Sequence, residues 1–204
     1  MHSIVINVVL VVLAYLLGSI NSAILLSKAM NLPDPRSLGS GNPGATNVLR
    51  TGNKLAAAIT LLGDLLKGLI PVLIAKYFHA DVFIIAIVCL AALLGHIYPI
   101  YYRFQGGKGV ATTLGVLFAV EWLLALLWIA VWLAVAALFR YSSLAALTAT
   151  FSMACITWIW FEQAWIPCAF VLIVALVFWR HRSNIENLLA GNETKIGKKD
   201  SAGK

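Results

Sequence analysis

Three polar stretches interrupt an otherwise apolar chain, and each carries the residue types of an anion site. The first is Gly39-Ser40-Gly41-Asn42-Pro43-Gly44-Ala45-Thr46-Asn47-Val48, followed by Arg50. Gly39, Gly41 and Gly44 allow tight turns that expose successive N–H groups, while Ser40, Asn42, Thr46 and Asn47 add side-chain donors. Such a concavity suits an oxyanion. The plainer reading is a Pro/Gly connector between two helices, which gives Arg50 little reason to be there. The second stretch is Gly106-Gly107-Lys108-Gly109-Val110-Ala111-Thr112-Thr113, leading into a short apolar segment. A glycine loop at a helix start offers backbone donors, the positive end of the helix dipole and, in Lys108, a point charge, which together make a phosphate site. It lacks the G-x-x-x-x-G-K-[ST] spacing of a Walker A loop, and its plain alternative is an interfacial turn whose lysine snorkels. The third is Arg180-His181-Arg182-Ser183-Asn184-Ile185-Glu186, with Glu193 beyond a break at Gly191. Two arginines and a histidine at the end of an apolar run also describe a simple stop-transfer cluster.

Polar residues inside the apolar runs are few. Asp64 and Lys67 stand i, i+3 on one helical face, where ionisable groups are costly and default to pairing or to function. An ion pair that supports the site and a direct role are both open. His96, near a helix end, reads as a satisfied anchor before it reads as a site residue, and Ser142 and Ser143 read as N-cap candidates. Cys89, Cys155 and Cys168 lie within apolar runs, so neither a disulfide framework nor a metal site is expected, and no cofactor is implied.

The elements that must position these stretches are membrane helices. Hydrophobic residues make up 61% of the 204 and charged ones only 11%, against roughly a quarter charged in a soluble domain. The net charge of +7 would suit nucleic acid in a soluble protein. Here the basic residues flank apolar runs, as the positive-inside rule and anionic lipid require, so the expected partner is the lipid bilayer and not nucleic acid. Runs able to cross roughly 30 Å of hydrocarbon cover residues 4–27, 55–76, 82–102, 122–139, 143–161 and 164–179, and a seventh, 110–120, is short. The first is too long for a signal-peptide h-region and lacks a basic n-region, so it reads as a spanning helix. With the N-terminus outside and all seven crossing, every Lys and Arg but Lys67 and Lys76 falls inside, including Lys195, Lys198, Lys199 and Lys204. Without a crossing at 110–120, Arg140 and the tail would lie outside, against the rule. The expected fold is therefore an all-α integral membrane protein with seven transmembrane helices, one of them short, an outer N-terminus and a cytoplasmic C-terminus. Residues 1–191 form a single catalytic domain in this reading, and 192–204 a basic cytoplasmic tail.

The strings at 39–48, at 106–112 and at 180–185, the last reading Arg-His-Arg-x-Asn-Ile, resemble in order the three motifs of the bacterial acyl-phosphate:glycerol-3-phosphate acyltransferases. The segments that hold them run from Gly18-Ser19-Ile20 to Glu193. The resemblance implies an enzyme of the bacterial inner membrane with its site on the cytoplasmic side. It would take a fatty acyl group from acyl phosphate, without a cofactor, and pass it to the 1-hydroxyl of glycerol 3-phosphate, giving lysophosphatidic acid in the first acylation of phospholipid biosynthesis. A functional link to an enzyme that makes acyl phosphate follows. Carried over residue by residue, the family's needs fall on Ser40 and Arg50 in the first motif and on His181 and Asn184 in the third. Gly106, Gly107, Lys108 and Gly109 would bind glycerol 3-phosphate, and Glu193 would serve integrity more than chemistry.

Acyl phosphate is a mixed anhydride whose phosphate leaves readily, so the harder tasks are holding two repelling phosphates together and removing a hydroxyl proton. Arg50, Lys108, Arg180, Arg182 and two glycine nests, with Gly39, Gly41, Asn42, Thr46 and Asn47 in the first, address the former task. For the latter no nucleophile and base pair is evident, which points to direct transfer with either His181 or a substrate phosphate taking the proton. If the Gly107 N–H faces the glycerol phosphate, Gly107→Ala should chiefly raise the KM for that substrate. Two rivals remain at this point. An acyl-CoA enzyme could use His181 with Glu186, although on a helix these lie about 140° apart. A transporter of a phosphorylated solute could use the short segment and the intramembrane Asp64 and Lys67.

Overall fold

A computed structural model describes residues 4–197, so Lys198, Lys199 and Lys204 of the expected tail lie outside the described residues. Every regular element within that range is helical: α1 (Ile4–Gly18), α2 (Ser22–Ala29), α3 (Ala45–Leu49), α4 (Lys54–Tyr77), α5 (Val82–Ile97), α6 (Val110–Val120), α7 (Trp122–Phe139), α8 (Ser142–Trp160), α9 (Trp165–Arg180) and α10 (Arg182–Leu189). Four spans are long and apolar enough to cross a membrane, namely α4, α7, α8 and α5 with its 3-10 extension to Tyr102; two bent pairs, α1 with α2 and α9 with α10, raise the number to six. α7 buries only Leu124, Ala125 and Trp128, while Leu126, Leu127, Leu133, Leu138 and Phe139 are exposed. An apolar surface of that kind belongs against lipid.

The run at 4–27 is not one straight helix, which corrects the sequence reading. α1 stops at Gly18 and α2 restarts with the Asn21 side chain accepting from the Ile24 N–H at 3.1 Å, the two axes differing by 45°. A broken helix inside a membrane leaves carbonyls that must find donors. Lys67 supplies one, its Nζ donating to the Ile20 carbonyl at 2.8 Å, and Asp64 stands 2.8 Å from the same ammonium. The i, i+3 ion pair expected on α4 is thus present, with its cation doubling as the donor that mends the break. α6 is 11 residues long, about 16 Å of rise. Lys76 caps its far end by donating to the Ala119 carbonyl at 2.9 Å.

Glycines let the backbones approach. A side chain at Gly68 would strike the Thr112 carbonyl and one at Gly115 the Leu65 carbonyl, so α4 and α6 touch backbone to backbone; Gly18 and Gly95 play the same part for α1 and α5. Small residues at such crossings are the usual packing device where no hydrophobic force joins helices. Ser142 and Ser143 do not cap α8: its N-cap is Tyr141, without a side-chain bond. The Ser143 hydroxyl instead donates to Glu193 Oε1 at 2.5 Å.

Candidate active site

The first glycine loop folds around its own asparagine. Asn47 is buried, and its Nδ2 donates to the Pro35 carbonyl at 2.5 Å and to the Leu38 carbonyl at 2.8 Å. Both amide protons are therefore spent on shaping the loop, and Asn47 is not the free phosphate donor that the sequence suggested. Gly39 adopts φ +46°, and a side chain there would strike Asn47 Oδ1 and the Arg50 guanidinium. The bare Cα is what lets Arg50 lie across the loop. Ser40 and Thr46 remain exposed and Asn42 half-buried.

The second loop is gripped from two sides. The Gly107 N–H donates to the His96 carbonyl at 3.2 Å, so it does not face outward as a phosphate donor, correcting that expectation. Arg180 clamps the opposite edge, its Nε donating to the Gly107 carbonyl at 3.1 Å and its Nη2 to the Gly106 carbonyl at 2.9 Å. Gly109, at φ +87°, turns the chain into α6. The first-turn N–H groups of a helix have no carbonyl one turn back to bond, and no acidic side chain sits in this first turn. The anion donors of this stretch are thus the start of α6 and Lys108.

Lys108 Nζ donates to Asn184 Oδ1 at 2.5 Å, and Asn184 Nδ2 donates to Glu193 Oε1 at 2.8 Å, the oxygen that also receives Ser143. One chain of contacts ties the second loop, α10, the segment after Gly191 and α8. Burial lowers the Lys108 pKa, opposed by the charge of Glu193. His181 follows the last residue of α9 and is 3% exposed. Its Nδ1 lies 2.8 Å from the Val177 carbonyl; a carbonyl only accepts, so Nδ1 carries the proton and Nε2 keeps its lone pair. Burial drops the His181 pKa to about 4, and the positive charges of Lys108 and Arg180 push the same way. The ring is neutral at pH 7.

All three stretches line one cavity of about 1170 Å³. Its polar part holds Ser40, Asn42, Arg50, Lys108, His181, Asn184 and Glu193, together with Gly109, Val110 and Ala111 at the start of α6. Its apolar flank is formed by Leu61 and Leu114 on one side and by Trp128, Ile129, Trp132 and Leu133 of α7 on the other. A smaller hollow of about 180 Å³ beside it is lined by Gly41, Gly106, Arg180, Arg182 and Ser183, sharing Ser40, Asn42 and Lys108 with the larger one.

A family model described as glycerol-3-phosphate acyltransferase matches residues 8–191. The chain belongs to this family. A glycerol-3-phosphate acyltransferase of Thioalkalivibrio sulfidiphilus (strain HL-EbGR7) is 56% identical over 190 residues, covering 93% of this chain and 94% of that one. One from Methylobacillus flagellatus (strain ATCC 51484 / DSM 6875 / VKM B-1610 / KT) is 56% identical over 194 residues, covering 95% and 98%. Among solved structures, the chain is similar to PlsY (YgiH), an integral membrane glycerol 3-phosphate acyltransferase crystallised in a glycerol 3-phosphate form, with a TM-score of 0.89 and 43% identity over 94% of this chain and 96% of that one. Its lysophosphatidic acid form gives a TM-score of 0.87 at the same identity, over 94% and 95%.

In this multi-pass membrane acyltransferase, Ser40, Arg50, Lys108, His181 and Asn184 from the three stretches meet in one cavity. Gly39, Asn42, Thr46, Asn47 and Gly109 line it too. Gly41, Gly106 and Arg182 line the smaller hollow; Arg182 is exposed, lies over the Trp179 ring at 5.0 Å and donates to the Trp179 carbonyl. Lys67 faces the helix break, whereas Asp64 also reaches the cavity wall. Sequence reasoning gave no place in the cavity to Ser143, Trp128 or Trp132. A polar residue at a helix start and aromatic residues on an apolar helix carry no signal that separates lining from packing. His96, read as an anchor, also lines the wall.

Proposed function

We propose that the chain moves a fatty acyl group from acyl phosphate to the 1-hydroxyl of glycerol 3-phosphate, forming 1-acylglycerol 3-phosphate and inorganic phosphate. The observation that carries this reading is the single cavity in which a cationic, donor-rich end runs without a wall into an apolar flank on the lipid-facing α7. Two phosphates fit the first part and an acyl chain the second. The structures of PlsY in glycerol 3-phosphate and lysophosphatidic acid forms name the acceptor and product of a relative with the same fold, and support both for this chain.

Each residue then has a task. Lys108 and the start of α6 take the glycerol phosphate; Arg50, Ser40 and the N–H groups of the first loop take the phosphate of the donor. Asn184 and Glu193 orient Lys108. His181 accepts the hydroxyl proton of glycerol in a hydrogen bond at Nε2, aligning its oxygen with the acyl carbon. That oxygen bonds to the carbonyl carbon, the bond from carbon to phosphate oxygen breaks, and the proton passes to the departing phosphate. No acyl-enzyme forms. Positioning of this kind supplies several kcal/mol of a barrier, with about 7–11 kcal/mol as its ceiling.

The same reading places the polar end at the cytoplasmic face of a bacterial inner membrane, with seven crossings and an outer N-terminus, next to whichever enzyme supplies acyl phosphate. Purified protein given synthetic palmitoyl phosphate and glycerol 3-phosphate yields lysophosphatidic acid and phosphate in equal amounts, read by mass spectrometry and a phosphate assay. Product from palmitoyl-CoA and none from palmitoyl phosphate overturns the donor. Uptake of glycerol 3-phosphate into proteoliposomes without any acylation overturns the enzymatic reading.

A further inference from the structure

We infer that His96 is a positioning residue that sets the place of Lys108 through Gly107; this rests on the proposed assignment of Lys108 to the glycerol phosphate. His96 is 5% exposed, and its Nδ1 lies 3.0 Å from Thr112 Oγ1. That hydroxyl donates its one proton to the Asp64 carbonyl at 2.9 Å. Thr112 therefore has only lone pairs to offer the ring, so the proton is on Nδ1 and Nε2 is bare. The Nε2 edge occupies the space where a Gly107 side chain would begin: a Cβ built there collides with Nε2.

The backbone of the same residue holds the loop as well. The His96 carbonyl accepts the Gly107 N–H at 3.2 Å, and a Cβ on Gly106 would strike the His96 and Ile97 carbonyls. With Arg180 on the opposite edge, residues 106 and 107 are clamped between two side chains, and Lys108 is the next residue along. Its ammonium is fixed at the other end by Asn184. Beneath the ring, Asp64 Oδ1 stands 3.9 Å from His96 Nδ1, too far for a hydrogen bond, and Lys67 neutralises it at 2.8 Å. Asp64 thus reaches the ring through its own carbonyl and the Thr112 hydroxyl. The buried polar cluster of α4, α5 and α6 ends on the backbone that carries the lysine, which gives these buried helix groups a part in binding the phosphate.

The experiment is a double-mutant cycle on the purified protein, with a second arm that leaves Lys108 intact. His96→Asn keeps a donor near Thr112 but removes the ring edge at Gly107. It raises the KM for glycerol 3-phosphate about tenfold, leaves that for acyl phosphate within about twofold, and changes kcat/KM by less than about twofold when Lys108 is already alanine. In the second arm Thr112→Val, which leaves Nδ1 without an acceptor, reproduces the rise in KM, and Thr112→Ser restores it to within about twofold of wild type. Losses that multiply independently in the cycle, or a wild-type KM for glycerol 3-phosphate in Thr112→Val, overturn the inference. Both arms are read against wild-type protein making lysophosphatidic acid in the same assay, so failure of the functional reading shows in the wild type and failure of this inference only in the variants.

Discussion

A neutral imidazole can serve acyl transfer as a base or as a hydrogen-bond acceptor, and the surroundings of His181 favour the second. Burial holds its pKa at about 4, too weak a base to strip an alcohol at neutral pH, while its bare Nε2 can still orient the hydroxyl. His181→Gln, which keeps an acceptor at that reach, therefore loses less than about tenfold in kcat, whereas a general base would cost about 10²-fold or more. Stability carries the same signature. The folded pKa lies below the unfolded value near 6.5, so the unfolded chain binds the proton first as pH falls. The contribution of neutral His181 is complete above about 6.5 and drains away toward 4; the thermal midpoint of wild type drops more between pH 7 and 4.5 than that of His181→Gln. Glycine positions separate by what a methyl would meet. Gly106→Ala drives a Cβ into two backbone carbonyls and costs more than about tenfold in kcat/KM. Gly52→Ala, at φ +83° with open space around it, costs about 1 kcal/mol of backbone strain and leaves both KM values unchanged. Residue types, order and the family resemblance were enough to single out Ser40, Arg50, Lys108, His181 and Asn184, which line one cavity. They could not tell which donors are already taken, because the acceptors of Asn47 are carbonyls of Pro35 and Leu38 and the acceptor of Gly107 is the carbonyl of His96, and any residue type supplies a carbonyl.

Among the helices, the informative features are the interruptions. Apolar content alone makes 4–27 look continuous, since Gly18, Ser19 and Asn21 barely dent a hydropathy average, yet together they end one helix and cap the next. Lys67 and Asp64 could be read from spacing as a pair, but not as the repair of that break, because Ile20 lies 47 residues away in sequence. α6 presents the same problem at its other end. Its last carbonyls have no further turn of helix to pair with, and Lys76 reaches over from α4 to meet the Ala119 carbonyl at 2.9 Å and the Val120 carbonyl at 3.4 Å. Lys76→Met keeps the stem and removes the donor. It lowers stability by about 0.5–1 kcal/mol, the net worth of a partly exposed hydrogen bond, seen as a drop in the melting midpoint in detergent, with the KM for glycerol 3-phosphate unchanged because the cavity lies at the opposite end of α6. A raised KM would mean that α6 transmits strain along its length to Gly109.

At the scale of the molecule, the polar stretches gather at one end and the opposite end is nearly bare. α1 and α5 finish together, Tyr15 donating to the Tyr98 carbonyl at 2.8 Å and the Ile100 N–H meeting Ser19 Oγ at 3.4 Å, close to the glycine loops. Among the described residues the far end carries short turns, where Phe83 packs on Trp165 with ring centroids 4.7 Å apart. Near its start α6 meets the middle of α4, Thr112 Oγ1 donating to the Asp64 carbonyl; in the proposed reading the glycine loop and the short segment together make one passage. In the reading proposed above the chain passes from end to end seven times, and its two termini face opposite ways. The distribution of Lys and Arg then fixes which way. The prediction is made for single cysteines placed at Ser37, Arg103 and Asn192 at the polar end, and at Asp81 and Glu162 at the far end, all exposed positions, in protein whose native Cys89, Cys155 and Cys168 are replaced by alanine. A membrane-impermeant maleimide added to intact cells labels 81 and 162 alone, and added to inverted membranes labels 37, 103 and 192 alone. Labelling of 103 from the opposite side to 37 and 192 would separate Lys108 from Arg50 and Asn184 across the bilayer, and no cavity could then bring one substrate to all three.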